Sequence, residues 1–91
     1  LQFFAFNATN FNDDISGWDV SNVTNMGNAF SGTAMTQANY DALLIAWSAQ
    51  TVQQNVQFGI SAQYTAGGAA EAARNVLINT YNWSISDGGP N

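Results

Sequence analysis

Residues 14–26, with the sequence DISGWDVSNVTNM, carry apolar side chains at short, regular intervals, namely Ile15, Trp18, Val20, Val23 and Met26. Trp18 and Val20 flank Asp19 with the two-residue period of a strand, which predicts a strand over residues 18–20. Val23 and Met26 are three residues apart and, with Ala29 and Phe30, predict a short helical or 3₁₀ return. A unit this short cannot bury its own apolar side chains, so it must stack on similar units.

A strand, a bend and a helical return in under about thirty residues form the unit of a leucine-rich-repeat-like solenoid. Residues 13–35 are one complete turn of this kind. Residues 1–12 read as the tail of a preceding repeat, because Leu1 and Ala5 match Met26 and Phe30 in character, each 25 positions later. We therefore expect the chain to be a segment of a longer protein.

The period breaks after Met35, and residues 36–87 are predicted to be a C-terminal capping unit, followed by a linker over 88–91. Thr36 is a plausible N-cap for a helix over 37–49, in which Tyr40, Leu43, Leu44 and Trp47 share one face. Alternation predicts strands over 56–60 and 83–86, and an Ala-rich stretch predicts a helix over 69–81. The predicted class is α/β, a leucine-rich-repeat-like solenoid fragment with short parallel strands and a helical C-terminal cap.

The predicted core consists of the inward positions of these elements: Ile15, Trp18, Val20, Met26, Phe30, Leu43, Leu44, Trp47, Val56, Phe58, Ile60, Val76, Leu77, Trp83 and Ile85. Exposed tryptophans would suit sugar stacking, but all three tryptophans occupy inward positions of apolar patterns, which favours the core. Arg74 is predicted to lie on the helix surface, paired with Glu71 three residues earlier.

The amino-acid composition argues against several classes of function. The 91 residues include one Lys or Arg, six Asp or Glu and neither His nor Cys, with a net charge of −5. Such a chain cannot neutralise a nucleic-acid backbone, and no apolar run is long enough to insert into a membrane. Without His, Cys or Lys the usual bases and nucleophiles are absent, which argues against an enzyme. Solubility that rests on Asn, Gln, Ser and Thr favours an extracellular protein.

The stretch 11–26, FNDDISGWDVSNVTNM, resembles the repeat of BspA-like leucine-rich-repeat surface proteins, whose units read roughly FNxDISxWDVSxVTxM. Residues 39–47 (NYDALLIAW), 72–74 (AAR) and 83–89 (WSISDGG) resemble the unit that closes such arrays. The chain departs from the pattern at Ala29-Phe30, where the family often has Met-Phe. The resemblance implies a bacterial cell-surface or secreted adhesion module with no catalytic residues. Its implied partners are the upstream repeats and a host or cell-surface protein or glycan.

Two candidate sites follow from the predicted strands. Outward side chains would form an open sheet face able to bind a ligand: Asp19, Ser21, Gln57, Gly59, Ser84 and Ser86. The alternative is a solvated face of a terminal cap, because aromatic and Arg anchors are absent from it.

The other candidate is a calcium site at Asp13 and Asp14, with Asp19 nearby, because calcium prefers oxygen ligands. The spacing does not match an EF-hand loop. The alternative is that Asp13 and Asp14 cap or bend the chain and that Asp19 is solvated. No other cofactor is predicted.

Overall fold

Three short parallel strands form the sheet of the computed structural model, which describes residues 15–30 and 32–91. They are β1 (Met26–Phe30), β2 (Gln57–Ile60) and β3 (Ser84–Ser86), in the order β1-β2-β3. Helices α1 (Gln37–Ser48) and α2 (Ala69–Asn79) follow β1 and β2 in the chain and pack against each other. The predicted α/β class and parallel pairing are confirmed. The preceding repeat predicted over 1–12 lies outside the described residues.

The strand predicted over 18–20 and the helical return after it are both wrong. Residues 15–23 instead form two turns, in which the amide of Trp18 donates to Ile15 O at 3.1 Å and that of Val23 to Val20 O at 3.2 Å. The three-residue spacing of Val20, Val23 and Met26 therefore arises from turns and not from a 3₁₀ helix. The chain becomes extended only at β1, which pairs with β2 through an irregular register.

The four capping-unit elements lie close to their predicted positions. Thr36 caps α1 as expected, since its hydroxyl accepts from the amide of Asn39 at 3.3 Å. The buried face of α2 differs from the prediction: Ala70, Ala73 and Leu77 are buried, whereas Val76 is 39% exposed. The prediction that Val76 belongs to the core is therefore wrong. The packing of α2 against α1 decides which of its side chains are buried, and small alanines are buried there in preference to the larger Val76.

Phe58 on β2 is the centre of the core. Its ring lies 5.6–6.4 Å, centroid to centroid, from the rings of Phe30, Tyr40, Trp47 and Trp83. These four residues come from β1, from α1 and from the position just before β3, so one side chain packs against three separate parts of the fold. Trp47 and Trp83 are buried as predicted, while Trp18 and Ile85 are only partly buried against this cluster.

Several side chains donate hydrogen bonds to backbone carbonyls of an earlier segment of the chain. Trp47 Nε1 donates to Ile15 O at 3.3 Å, and Gln50 Nε2 donates to Trp18 O at 2.7 Å. A similar arrangement follows later in the chain: Trp83 Nε1 donates to Gln53 O at 2.8 Å, and Tyr81 Oη lies 3.4 Å from Gln50 O. In both cases a later segment donates to backbone carbonyls of the segment before it.

Residues 88–91, predicted to be a linker, run beside residues 62–64 in the structure. The amide of Gly88 donates to Ala62 O at 2.8 Å and that of Asn91 to Tyr64 O at 2.9 Å. Tyr64 and Pro90 form a parallel bridge. The backbone donors of this Gly-rich tail thus find partners on the protein, which composition alone does not reveal.

Candidate functional site: an uncharged groove on the open face of the sheet

The face of the sheet that carries Gln57 has a shallow groove of about 230 Å³. Residues from all three strands line it: Gly27, Gln57, Phe58, Gly59, Ser84 and Ser86. Gln57 pairs with Ser84, and Gly59 pairs with Ser86, so the parallel register puts these four residues side by side. The sequence prediction of an open face agrees with the placement of Gln57, Ser84 and Ser86, which are exposed, whereas Gly59 lines the groove but is buried. Whether this face binds a ligand remains a prediction.

Three side chains in the groove have no hydrogen-bond partner among residues 15–30 and 32–91. They are the amide of Gln57 and the hydroxyls of Ser84 and Ser86, all of which belong to exposed residues. Other polar side chains nearby are engaged; Gln53, for example, donates to Ser21 O at 3.0 Å. Each of the three free groups can both donate and accept. The groove is thus a neutral surface whose hydrogen-bonding capacity is left for solvent or a ligand.

Gly27 keeps the groove open on the β1 side. A Cβ atom at this position would lie 3.3 Å from Gln57 Oε1 and 3.3 Å from Asn25 Oδ1. The amide of Gly27 donates to that same Asn25 oxygen at 2.9 Å. A larger residue at position 27 would therefore displace the Gln57 side chain. Gly27 is not among the predicted face residues, because the sequence pattern of this segment predicts a helical return and not a strand.

Asp19 and Ser21 do not belong to this face. They lie in the turns that precede β1, where Asp19 Oδ1 accepts from the amide and the hydroxyl of Ser21 at 3.0 and 2.6 Å. These hydrogen bonds lower the pKa of Asp19 below its ordinary value by stabilising the carboxylate. The two residues thus satisfy each other locally, and the predicted face is split.

The calcium ligands proposed at Asp13 and Asp14 lie outside the described residues. Within residues 15–30 and 32–91, no three side chains of the types His, Cys, Asp or Glu come close enough to hold a metal ion. Asp41, for instance, is engaged by Thr65, whose amide donates to Oδ1 at 2.9 Å and whose hydroxyl lies 2.5 Å from Oδ2.

The single cationic side chain, Arg74, is used inside the protein. Its Nε donates to Asp87 Oδ2 at 2.8 Å, and its guanidinium carbon lies 4.6 Å from the centroid of the Tyr64 ring. Tyr40 Oη donates to the same Asp87 oxygen at 2.5 Å. The prediction that Arg74 pairs with Glu71 is wrong, because Glu71 instead accepts from the amide of Gly67 at 3.1 Å.

This cluster shifts two pKa values. Burial raises the pKa of Tyr40, and the hydrogen bond to the Asp87 carboxylate raises it further. Burial alone would lower the pKa of Arg74, but the hydrogen bond to Asp87 and its negative charge outweigh it, so the pKa of Arg74 is raised. Because Arg74 is committed to Asp87, the groove has no cationic side chain to offer a ligand.

The described residues thus define a small α/β protein with a parallel sheet, two packed helices and an uncharged groove. Residues 2–65 match the family described as Mycoplasma protein of unknown function, DUF285, and the chain belongs to this family. The match includes β1, α1 and β2 and ends before α2, so Gly27 and Gln57 fall inside it, whereas Ser84 and Ser86 do not.

No curated protein and no solved structure matches the chain. Neither helix in the part of the chain that the structure describes has the length and apolarity needed to cross a bilayer.

Proposed function

We propose that this chain is the closing end of a BspA-like repeat solenoid and serves as a non-catalytic, cell-surface or secreted adhesion or protein-interaction module. The observation that carries this proposal is the repeated pattern of hydrogen bonds from later segments to earlier ones. Trp47 and Gln50 donate to the turns at Ile15 and Trp18, and Trp83 donates in the same direction to Gln53. Units joined by a recurring contact from a Trp indole to a backbone carbonyl can be extended by further units.

Two further features support the closing role. Helices α1 and α2, of 12 and 11 residues, both follow the stretch 11–26 that resembles the repeat, and they pack against each other. The last strand, β3, has only three residues. Short edge strands limit unwanted pairing with other chains, which suits the end of a stack.

Duplication of the repeat tests the solenoid. A second copy of residues 11–35, inserted directly before residue 11, should stack on the existing turn and raise the melting temperature while unfolding stays cooperative. The matched control is an insert with the same composition in scrambled order, which should give no gain. Equal melting temperatures for the two inserts would contradict the solenoid.

The cellular role is tested separately. Intact cells that produce the protein should lose it to externally added protease, or the protein should appear in the medium. Detection only after the cells are broken open would contradict a surface or secreted location.

An alternative function is a ligand-binding domain that uses the open sheet face. The observation in its favour is the groove, which the exposed polar side chains of Gln57, Ser84 and Ser86 help to line. Screening the full chain against arrays of host proteins and glycans, beside the version with the duplicated repeat, tests this alternative. Binding by the original chain that is lost on Gln57→Ala at an unchanged melting temperature supports it. Binding that Gln57→Ala leaves intact contradicts it.

A further inference from the structure

We propose that the groove on the sheet face binds a neutral, hydroxyl-rich sugar residue, with Gln57, Ser84 and Ser86 as its hydrogen-bonding residues. This inference rests on the alternative function above, a ligand-binding sheet face, and names its ligand class. The volume of about 230 Å³ is smaller than that of pockets for drug-sized ligands, so the groove suits one sugar ring rather than a larger molecule.

The charge of the groove selects against ionic ligands. None of its six lining residues carries a charge, and the one Arg of the chain is bound to Asp87 with a separation of 2.8 Å. The chain as a whole has a net charge of −5. An anionic sugar would therefore meet repulsion without a compensating cation, and a cationic ligand would find no carboxylate in the groove.

The geometry of the free groups matches closely spaced hydroxyls. Ser84 lies beside Gln57 across one strand spacing of about 5 Å, and Ser86 lies about 7 Å from Ser84 along β3. Because an amide and a hydroxyl both donate and accept, they suit sugar hydroxyls, which do the same. Gly27 leaves room for the Gln57 side chain, whose Oε1 would lie 3.3 Å from a Cβ at position 27, so Gly27 lets this amide lie over the sheet.

A peptide fits this face less well than a sugar. Strand addition needs a free strand edge, whereas the groove lies on the face of the sheet, between strands that already pair with each other. Peptide side chains also need apolar or Arg anchors, and Phe58, the one aromatic lining residue, is only 1% exposed. The lack of an exposed aromatic platform implies weak binding, with a dissociation constant of the order of millimolar. A repeat protein can compensate for such weakness by multivalency.

The test is a nitrogen-15 NMR titration of the full chain with glucose, galactose, mannose and N-acetylglucosamine, each raised well above the expected constant. Saturable shifts should appear at the amides of Gly27, Gly59 and Ser84–Ser86 for at least one sugar. Glycerol tests whether any hydroxyl compound suffices, and N-acetylneuraminic acid tests the exclusion of anions.

Matched variants assign the binding to the groove. Gln57→Ala and Ser84→Ala should each weaken binding about fivefold, the amount expected for one lost neutral hydrogen bond. Gly27→Ala should also weaken it by displacing Gln57. Gln54→Ala, an exposed glutamine outside the groove, should leave binding unchanged.

Three outcomes would overturn the sugar assignment. These are the absence of saturable shifts with any neutral sugar, equal shifts with glycerol, or unchanged binding by Gln57→Ala. If a peptide or protein from the array screen shifts the same amides while no sugar does, the sheet face binds a ligand but the ligand class is wrong. If nothing shifts these amides, both the sugar proposal and the proposal of a ligand-binding sheet face are contradicted. The solenoid proposal is tested independently by the duplicated repeat.

Discussion

At the scale of single residues, Asp87 shows how one carboxylate can organise a chain with almost no positive charge. Its side chain is 3% exposed, yet it accepts from Arg74, from Tyr40 and from the amide of Gly89. A buried charge is tolerated when it is paired and fully hydrogen-bonded. The cluster links α1, α2 and the tail after β3, so it holds three separate segments at one point.

Tyr40→Phe should lower the free energy of unfolding at pH 7 by about 1–3 kcal/mol, because it removes a hydrogen bond to a charged group. It should also change how the free energy of unfolding depends on pH above pH 10. The pKa of Tyr40 is raised in the folded protein from its ordinary 10.0, so its stabilising contribution is complete below pH 10 and is lost as the pH rises further. The native protein should therefore lose about 1 kcal/mol more than Tyr40→Phe between pH 10 and pH 11.

Urea denaturation at pH 7, 10 and 11 measures both effects. The control is Tyr81→Phe, whose hydroxyl makes only a 3.4 Å contact with Gln50 O. This variant should keep the pH dependence of the native protein above pH 10. Parallel declines for the native protein and Tyr40→Phe above pH 10 would show that Tyr40 does not hold its proton as described.

At the scale of elements, the segment before β1 is held by hydrogen bonds to one glutamine that follows α1. Gln50 Oε1 accepts from the amide of Val20 at 2.9 Å, and its Nε2 donates to Trp18 O at 2.7 Å. The two turns of residues 15–23 therefore rely on this side chain for backbone hydrogen bonds that a regular strand would obtain from a neighbouring strand.

Gln50→Ala should destabilise the protein by about 1–3 kcal/mol, because it leaves a part-buried donor and a part-buried acceptor without partners. Hydrogen exchange of the Val20 amide should accelerate more than that of amides within α2. Exposed Gln54 provides the matched control, and Gln54→Ala should change stability by less than about 0.5 kcal/mol. Equal exchange rates for Val20 in the two variants would contradict this role of Gln50.

At the scale of the whole molecule, one face of the sheet packs in the core and the other lines the groove. One face carries Phe58 into a core that both helices cover, whereas the other carries Gln57 and the serines of β3 into the groove. Because successive residues of a strand point to opposite faces, a shift of one residue in register would exchange the residues on the two faces. The core therefore determines which residues can form the groove.

Phe58→Ala should destabilise the protein by about 3–5 kcal/mol, the range for large-to-small changes at a buried aromatic residue. The loss is expected to be cooperative, since Phe58 contacts rings from several elements. Thermal unfolding followed by tryptophan fluorescence and by circular dichroism should give coincident transitions. Ile45→Ala, at a residue that is 46% exposed, should have little effect. A loss below about 1 kcal/mol for Phe58→Ala would exclude Phe58 as the centre of the core.

Local patterns by themselves determined α1, β2 and β3 in this protein. In α1 the cap at Thr36 and the apolar spacing of Tyr40, Leu43, Leu44 and Trp47 act within a few residues, so the sequence predicts the helix and its buried face. In β2 and β3 the alternation also predicts which side chains point away from the core, which is why Gln57 and Ser84 could be named as neighbours on an open face.

Tertiary structure decided what depends on distant partners. The spacing of Val20, Val23 and Met26 suits either a 3₁₀ turn or two successive turns before a strand, and only pairing with β2 selects the latter. Arg74 pairs with Asp87 instead of Glu71, because the tail after β3 returns to α2 and places the Asp87 carboxylate 2.8 Å from the guanidinium, where Tyr40 is a second donor. The role of Gly27 also depends on a distant residue. A parallel strand places the Gln57 side chain beside Gly27, and this contact leaves no room for a larger residue at position 27.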